Sequence, residues 1–182
     1  KGGNVKIESY GKENIPKEDG FMFFPNHQGM YDVLAIIDAC DNTFSVVAKK
    51  EVANVPLLNQ TFACTKSYMM DREDIRQSMK VIMSVTKEVQ SGRNYLIFPE
   101  GTRVKKGQQV RPKGGVTMIA IRSGVKMLPV FISSTRRLFH KLAVVIGKPY
   151  TPVYTERKGT AEEYQKNADE IMRQVYELGG VR

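Results

Sequence analysis

FMFFPNHQGMYDVLAIIDA, residues 21–39, changes character in its middle. Four apolar residues come first with no polar interruption, the pattern of a short strand buried on both faces. Pro25 and Asn26 then stop it. Between residues 31 and 39, Val33, Leu34, Ile36 and Ile37 recur at helical spacing. A buried strand that turns directly into a helix is the building unit of layered α/β sheets. The turn also holds His27, one of only two histidines in the chain. An imidazole at the end of a buried strand needs a reason.

The same alternation runs outward in both directions. Val5 and Ile7 alternate with Lys6 and Glu8, predicting a half-buried strand, and residues 11–20 read as a turn around Pro16. Strands are predicted at 43–48, 67–70, 94–98, 126–133 and 142–146, with short helical pieces around Pro56 at 51–64. Ile75, Met79, Ile82, Met83, Thr86 and Val89 form a helical stripe, with Asp71 to Asp74 at its start and Gly92 just past its end. A further helix is predicted at 116–122. Ala161, Tyr164, Ala168, Ile171, Met172, Val175 and Leu178 stripe a final one. The chain therefore reads as α/β, a single layered domain over 1–182 with a mixed, mostly parallel sheet flanked by helices. Residues 155–159 are the sole candidate boundary, and the one helix after them is not a domain.

The chain of 182 residues is long enough for a substantial core. Its 41% hydrophobic and 26% charged residues are those of a folded domain rather than a disordered one. Lys and Arg outnumber Asp and Glu 28 to 19, a net charge of +9. Such a balance suits an anionic partner: nucleic acid, an anionic membrane surface, a phosphorylated substrate or an acidic carrier protein. No zinc finger, basic zipper or aromatic RNA-binding pattern accompanies it, so a nucleic-acid partner is not expected. Cys40 and Cys64 have no CxxC spacing and make no disulfide framework, which points to a reducing, cytoplasmic compartment. No apolar run approaches the about 18 residues of a membrane span. HExxH and GxSxG are both absent, so neither a zinc site nor a serine nucleophile is expected.

Three polar clusters fall just past predicted strands, where α/β folds place their sites. In the first, His27 and Asp32 are five residues apart. On one continuous helix that is about 500° of rotation, and the two side chains would diverge. With His27 in the turn and Asp32 in the first helical turn, the carboxylate can fold back to Nδ1. Nε2 is then left to accept a proton, as in a general base. The same spacing also fits a helix start, with Asn26 or His27 as cap and Asp32 favouring the dipole. The second cluster is Asp71-Arg72, which fits an anion site and, taken alone with Glu73-Asp74, reads as a charged helix start. The third follows YLIFP. There Glu100, Gly101, Thr102 and Arg103 lead into a loop carrying Lys105, Lys106, Arg111 and Lys113 with no acid among them. Guanidinium pairs with phosphate in a bidentate way. Gly114-Gly115 then opens a helix whose free N–H groups would attract anions. His140, in the basic run RRLFHK, reads as a surface residue.

These clusters, taken in order, resemble the glycerolipid acyltransferase family, in particular its 1-acyl-sn-glycerol-3-phosphate acyltransferases. NHQGMYD resembles the NHx4D motif at His27 and Asp32, and SYMMDR the second block, ending at Arg72. FPEGTR (98–103) matches the third throughout, and LPVFI (128–132) resembles the fourth around Pro129. YGKENIP (10–16) and RPKGG (111–115) agree as flanks. Gly29 stands where a serine is frequent, and Lys66 about where the second block usually has glycine. The likeness covers residues 5 to 150 or so.

The resemblance implies that His27, oriented by Asp32, deprotonates an acceptor hydroxyl, which attacks the thioester of acyl-CoA or acyl-acyl-carrier protein. Arg72, Glu100, Gly101, Thr102 and Arg103 would place the glycerol phosphate, with Lys105 and Lys113 as further anion contacts. No bound cofactor and no metal is implied. The product would be phosphatidic acid, made from lysophosphatidate at the cytoplasmic face of the membrane. The membrane-docking N-terminal segment often found in the family is expected to be missing from 1–182. Alternatives within the family are glycerol 3-phosphate or another lysophospholipid as acceptor. Outside it stand a thioesterase and a non-catalytic basic domain that binds membrane or nucleic acid.

Overall fold

The computed structural model describes residues 6–29, 31–54, 58–105, 108, 110–133, 141–156 and 158–180. Pro56, Lys106 and His140, singled out above, lie outside these residues. The strands are β1 (Ile7–Tyr10), β2 (Met22–Pro25), β3 (Phe44–Lys49), β4 (Tyr68–Met70), β5 (Asn94–Ile97), β6 (Met127–Ile132) and β7 (Leu142–Ile146). The helices are α1 (Asp32–Ala39), α2 (Leu58–Cys64), α3 (Ile75–Gln90), α4 (Thr117–Ser123) and α5 (Ala161–Leu178). Short 3-10 turns occupy Lys12–Asn14, Lys50–Asn54 and Gly114–Val116.

The strands form one sheet in the order β1-β7-β6-β2-β5-β3-β4. All neighbours pair in parallel except β6 and β7, so β1 and β7 run against the other five. The mixed, mostly parallel sheet expected from the sequence is the sheet observed. β2 lies in the interior, between β5 and β6, and its four residues are buried. Alternation then divides its side chains between the two faces. Met22 and Phe24 join a cluster with Val81, Val85 and Val89 of α3, Ile119 of α4, and Ile171, Met172 and Val175 of α5. Phe21 and Phe23 join the opposite cluster with Ala35, Ile36 and Ala39 of α1, while Phe62 of α2 packs against it.

Helix starts follow their caps. The Asp74 carboxylate accepts from the Gln77 amide at 3.0 Å, and Thr160 and Glu163 form a reciprocal capping box at α5. Most element ends fall within one or two residues of expectation, and Pro25 closes β2 instead of lying past it. One stripe needs correction. Ile75 is 78% exposed and Met83 is also exposed, whereas Val81 and Val85 are buried. α3 packs against α4 as well as the sheet, and its buried face is rotated toward that groove.

Pro129 lies within β6, where a missing N–H would ordinarily cost a ladder bond. Here the β6–β7 pairing stops at Val130 and Ile146, and the Pro129 carbonyl accepts from Gly147 at 2.9 Å. The donorless position thus falls where the ladder ends.

Candidate active site

β2, β3, β4, β5 and β6 run the same way, so their C-terminal ends gather along one edge of the sheet. Three of the five lead straight into the polar clusters: β2 into His27, β4 into Asp71-Arg72, and β5 into Glu100-Gly101.

The exit from β2 is built by Asn26. Its backbone still donates to the Val130 carbonyl, at 3.4 Å. Its side-chain amide then donates to the Ile132 carbonyl at 3.0 Å and accepts from the Ile132 amide at 2.7 Å. The side chain supplies the donor and acceptor that the next strand residue would have supplied. β6 is left fully paired while the main chain turns out of the sheet. Asn26 is therefore a strut between strands, not a helix cap.

His27 follows at the edge, its side chain 20% exposed. The imidazole stacks on Phe98, ring centroids 4.0 Å apart and planes 27° from parallel. Nδ1 lies 2.9 Å from Asp32 Oδ2. The same oxygen accepts from the Gln28 and Gly29 amides at 2.7 and 2.9 Å. Asp32 is buried and opens α1, yet its carboxylate folds back over the turn instead of capping its own helix. With Asp32 ionised, Nδ1 carries the hydrogen of that bond. Nε2 is then the basic lone pair at the rim.

The His27 peptide is held from the third cluster. Its N–H donates to Glu100 Oε2 at 2.6 Å, and its carbonyl accepts from the Val104 amide at 2.8 Å. Glu100 is 1% exposed, and its other oxygen accepts from the Tyr176 hydroxyl of α5. Burial pushes the Glu100 carboxyl above its ordinary range, while the hydrogen bonds from Tyr176 and the His27 amide oppose that rise. The resemblance groups Glu100 with phosphate-placing residues. In the structure, both of its oxygens face protein donors.

Gly101 adopts φ +67°, and its carbonyl accepts from Arg72 Nη1. A Cβ at Gly101 would lie 2.6 Å from that nitrogen. Glycine here admits both the backbone turn and the guanidinium. Arg72, Gly101 and His27 thus belong to one edge. Thr102 and Arg103 continue the loop with exposed side chains. No described residue forms an ion pair with Arg103.

The basic loop is tied less closely. Lys105 and Lys113 are exposed, and the Lys113 amide donates to the Pro99 carbonyl at 2.9 Å, returning the loop to the β5 exit. Arg111 pairs with Asp169 of α5 at 3.2 Å. The expected free N–H group at Gly114 is instead taken by Gln165 Oε1 at 3.2 Å, because α5 packs against this turn. Three contributors went unnoticed in sequence reasoning: the Asn26 strut, the Phe98 stack and Tyr176. The first two lie inside quoted motifs. Tyr176 is only a helix residue beside the buried stripe.

Lys66 is the sole described non-glycine residue with positive φ, at 51°. It stands about where the second block of the resembled family usually has glycine. Among the described residues no helix is long and apolar enough to cross a membrane.

Comparison with known proteins points to one family. The 1-acyl-sn-glycerol-3-phosphate acyltransferase of Borreliella burgdorferi is 32% identical over 138 residues, covering 75% of this chain and 55% of that protein. The Helicobacter pylori protein of the same name is 24% identical over 163 residues, covering 84% and 69%. The crystal structure of the 1-acyl-sn-glycerophosphate (LPA) acyltransferase PlsC from Thermotoga maritima superimposes with a TM-score of 0.75 at 26% identity, covering 98% of this chain and 74% of that one. The match thus spans about half of the Borreliella relative. A family model described as Acyltransferase matches residues 6–133, which hold His27, Asp32, Arg72 and the FPEGTR loop on one sheet edge, and the chain belongs to that family.

Proposed function

We propose that the chain transfers a fatty acyl group from an acyl thioester to the free hydroxyl of 1-acyl-glycerol 3-phosphate, giving phosphatidic acid. The observation that carries this reading is the 2.9 Å contact between His27 Nδ1 and Asp32, with the imidazole at the accessible end of β2. Nε2 takes the acceptor proton as the hydroxyl oxygen attacks the thioester carbonyl. The tetrahedral intermediate collapses, the C–S bond breaks, and the imidazolium returns its proton to the departing thiolate. One ester forms, one thioester is consumed, and His27 ends neutral. The buried Asp32 carboxylate stabilises the transient imidazolium.

Arg72 and Arg103, with Gly101 and Thr102 between them along the rim, are the groups we assign to the acceptor phosphate. Lys105 and Lys113 extend the positive field beyond it. Coenzyme A and acyl carrier protein present the donor as a thioester on the same pantetheine arm, and a chain of net charge +9 suits either anionic carrier. The same charge supports work at an anionic bilayer surface, which we assign to the cytoplasmic face of the membrane.

The test is thiol release from acyl-CoA and from acyl-acyl-carrier protein, with and without lysophosphatidate in anionic vesicles. Acceptor-dependent release should fall by about 10²–10⁴-fold in His27→Ala, the usual contribution of a general base. Release that ignores the acceptor would make the protein a thioesterase. Turnover with glycerol 3-phosphate in place of lysophosphatidate would reassign the acceptor.

A further inference from the structure

Three consecutive amides, those of His27, Gln28 and Gly29, are claimed by two carboxylates. Asp32, which takes the second and third, comes from the helix that the turn itself begins. Glu100, which takes the first, depends on a more distant element. Its Oε1 accepts from the hydroxyl of Tyr176, in the last turn of α5 and beyond residues 6–133 that the family match covers. The Tyr176 ring packs against the core cluster shared by α3, α4 and α5. α5 is anchored there by Ile171, Met172 and Val175, all buried, so the hydroxyl is presented from a rigid base.

We propose that Tyr176 is a positioning residue for acyl transfer: its hydroxyl fixes the Glu100 carboxylate, and Glu100 fixes the backbone from which the His27 imidazole projects. This inference rests on the reading of His27 as the base. Chemistry supports the arrangement. A carboxylate buried to 1% exposure needs donors on both oxygens, and removing one leaves a buried acceptor unsatisfied. Glu100 is faced by His27 and Asp32 from the β2–α1 turn and by Tyr176 from α5, while Arg72 sits on the carbonyl of the next residue. The Tyr176 hydrogen bond lowers the Glu100 carboxyl against the rise caused by burial. Without that hydroxyl Glu100 takes up a proton at higher pH. A neutral acid then accepts the His27 N–H less strongly.

Tyr176→Phe keeps the ring and its packing. In it, kcat should fall about ten-fold or more, with KM for lysophosphatidate within about two-fold of wild type. The acid limb of the kcat/KM profile should move to higher pH. Adding Tyr176→Phe to Glu100→Gln should cost little beyond Glu100→Gln alone, because both act through one link. A readout independent of turnover is the ¹³C titration of the Glu100 side-chain carboxyl, identified by its loss in Glu100→Gln. Its midpoint should rise in Tyr176→Phe.

A kcat and acid limb like wild type, in an active enzyme, would overturn the inference. So would a lower kcat accompanied by a lower melting temperature but an unmoved acid limb and an unmoved Glu100 midpoint, which marks a purely structural hydroxyl. If the wild-type chain moves no acyl group with any donor, the proposed function fails instead. The carboxyl titration then decides alone: a raised midpoint supports the Tyr176–Glu100 link, and an unmoved one overturns it.

Discussion

The two faces of the sheet are covered unequally. One carries α3, α4 and α5, two of them long, and holds Val85, Ile119, Ala120, Ile171 and Val175 at 0–1% exposure. The other carries α1 and α2, of eight and seven residues, and leaves Leu34 and Ile37 of α1 more than half exposed. The turn that carries His27 leads into the thinly covered face through α1. Its support arrives from the thick one through Tyr176. Both faces bury a core, the division lies in how much helix covers each, and they are joined at the sheet edge by hydrogen bonds to a few backbone groups. A site of this kind stays accessible on one side without loosening the residue that must be held still.

Paired truncations test that division most severely. Ile171→Ala on the thick face should cost about 2–5 kcal/mol of folding stability in denaturant melts. Leu34→Ala, at a position 57% exposed on α1, should stay within about 0.5 kcal/mol of wild type. Equal losses would mean that both faces are load-sharing. The joint between them can be broken at Asn26. Asn26→Ala leaves the buried Ile132 amide and carbonyl without partners and should cost roughly 2–4 kcal/mol, read from the same melts. The one expected gain belongs to Lys66, which follows α2 on the thin face in a left-handed conformation. Lys66→Gly relieves that strain at the cost of a more flexible unfolded chain and should gain up to about 1 kcal/mol. A loss there would show that the lysine side chain contributes more than its backbone costs.

The unequal faces also explain what the sequence could and could not disclose. Strands such as FMFF and YLI are buried runs bounded by turn residues, and local patterning suffices to place them. His27 and Asp32 were identifiable as a pair because a short turn brings residues five apart together. The burial of α3 was legible only in part. Its sequence offers Ile75 and Met83 as readily as Val81 and Val85, and the choice depends on α4, some thirty residues later in the chain. Glu100 was visible as a motif residue, but its role depends on Tyr176, 76 residues away. No local spacing reports a hydrogen bond made across that distance. The Gly114 amide illustrates the reverse case, since a helix start that looks open in sequence is closed by Gln165.

The pairing of β1 with β7 has a consequence for the order in which the chain can assemble. Asn14 Nδ2 reaches the Ile146 carbonyl across 132 residues of sequence, and among the described residues β1 has no other neighbour in the sheet. On a ribosome, β1 is made well before the strand it pairs with and is among the last of these strands to find its place. It must wait while β2 through β6 emerge and β7 after them. Long-range pairings of this kind are slow to close. In a refolding pulse of deuterium labelling, the β5 amides should become protected before those of β1. Until β7 arrives, Ile7 and its neighbours are a nascent strand without a template, the segment for which a chaperone would be most useful.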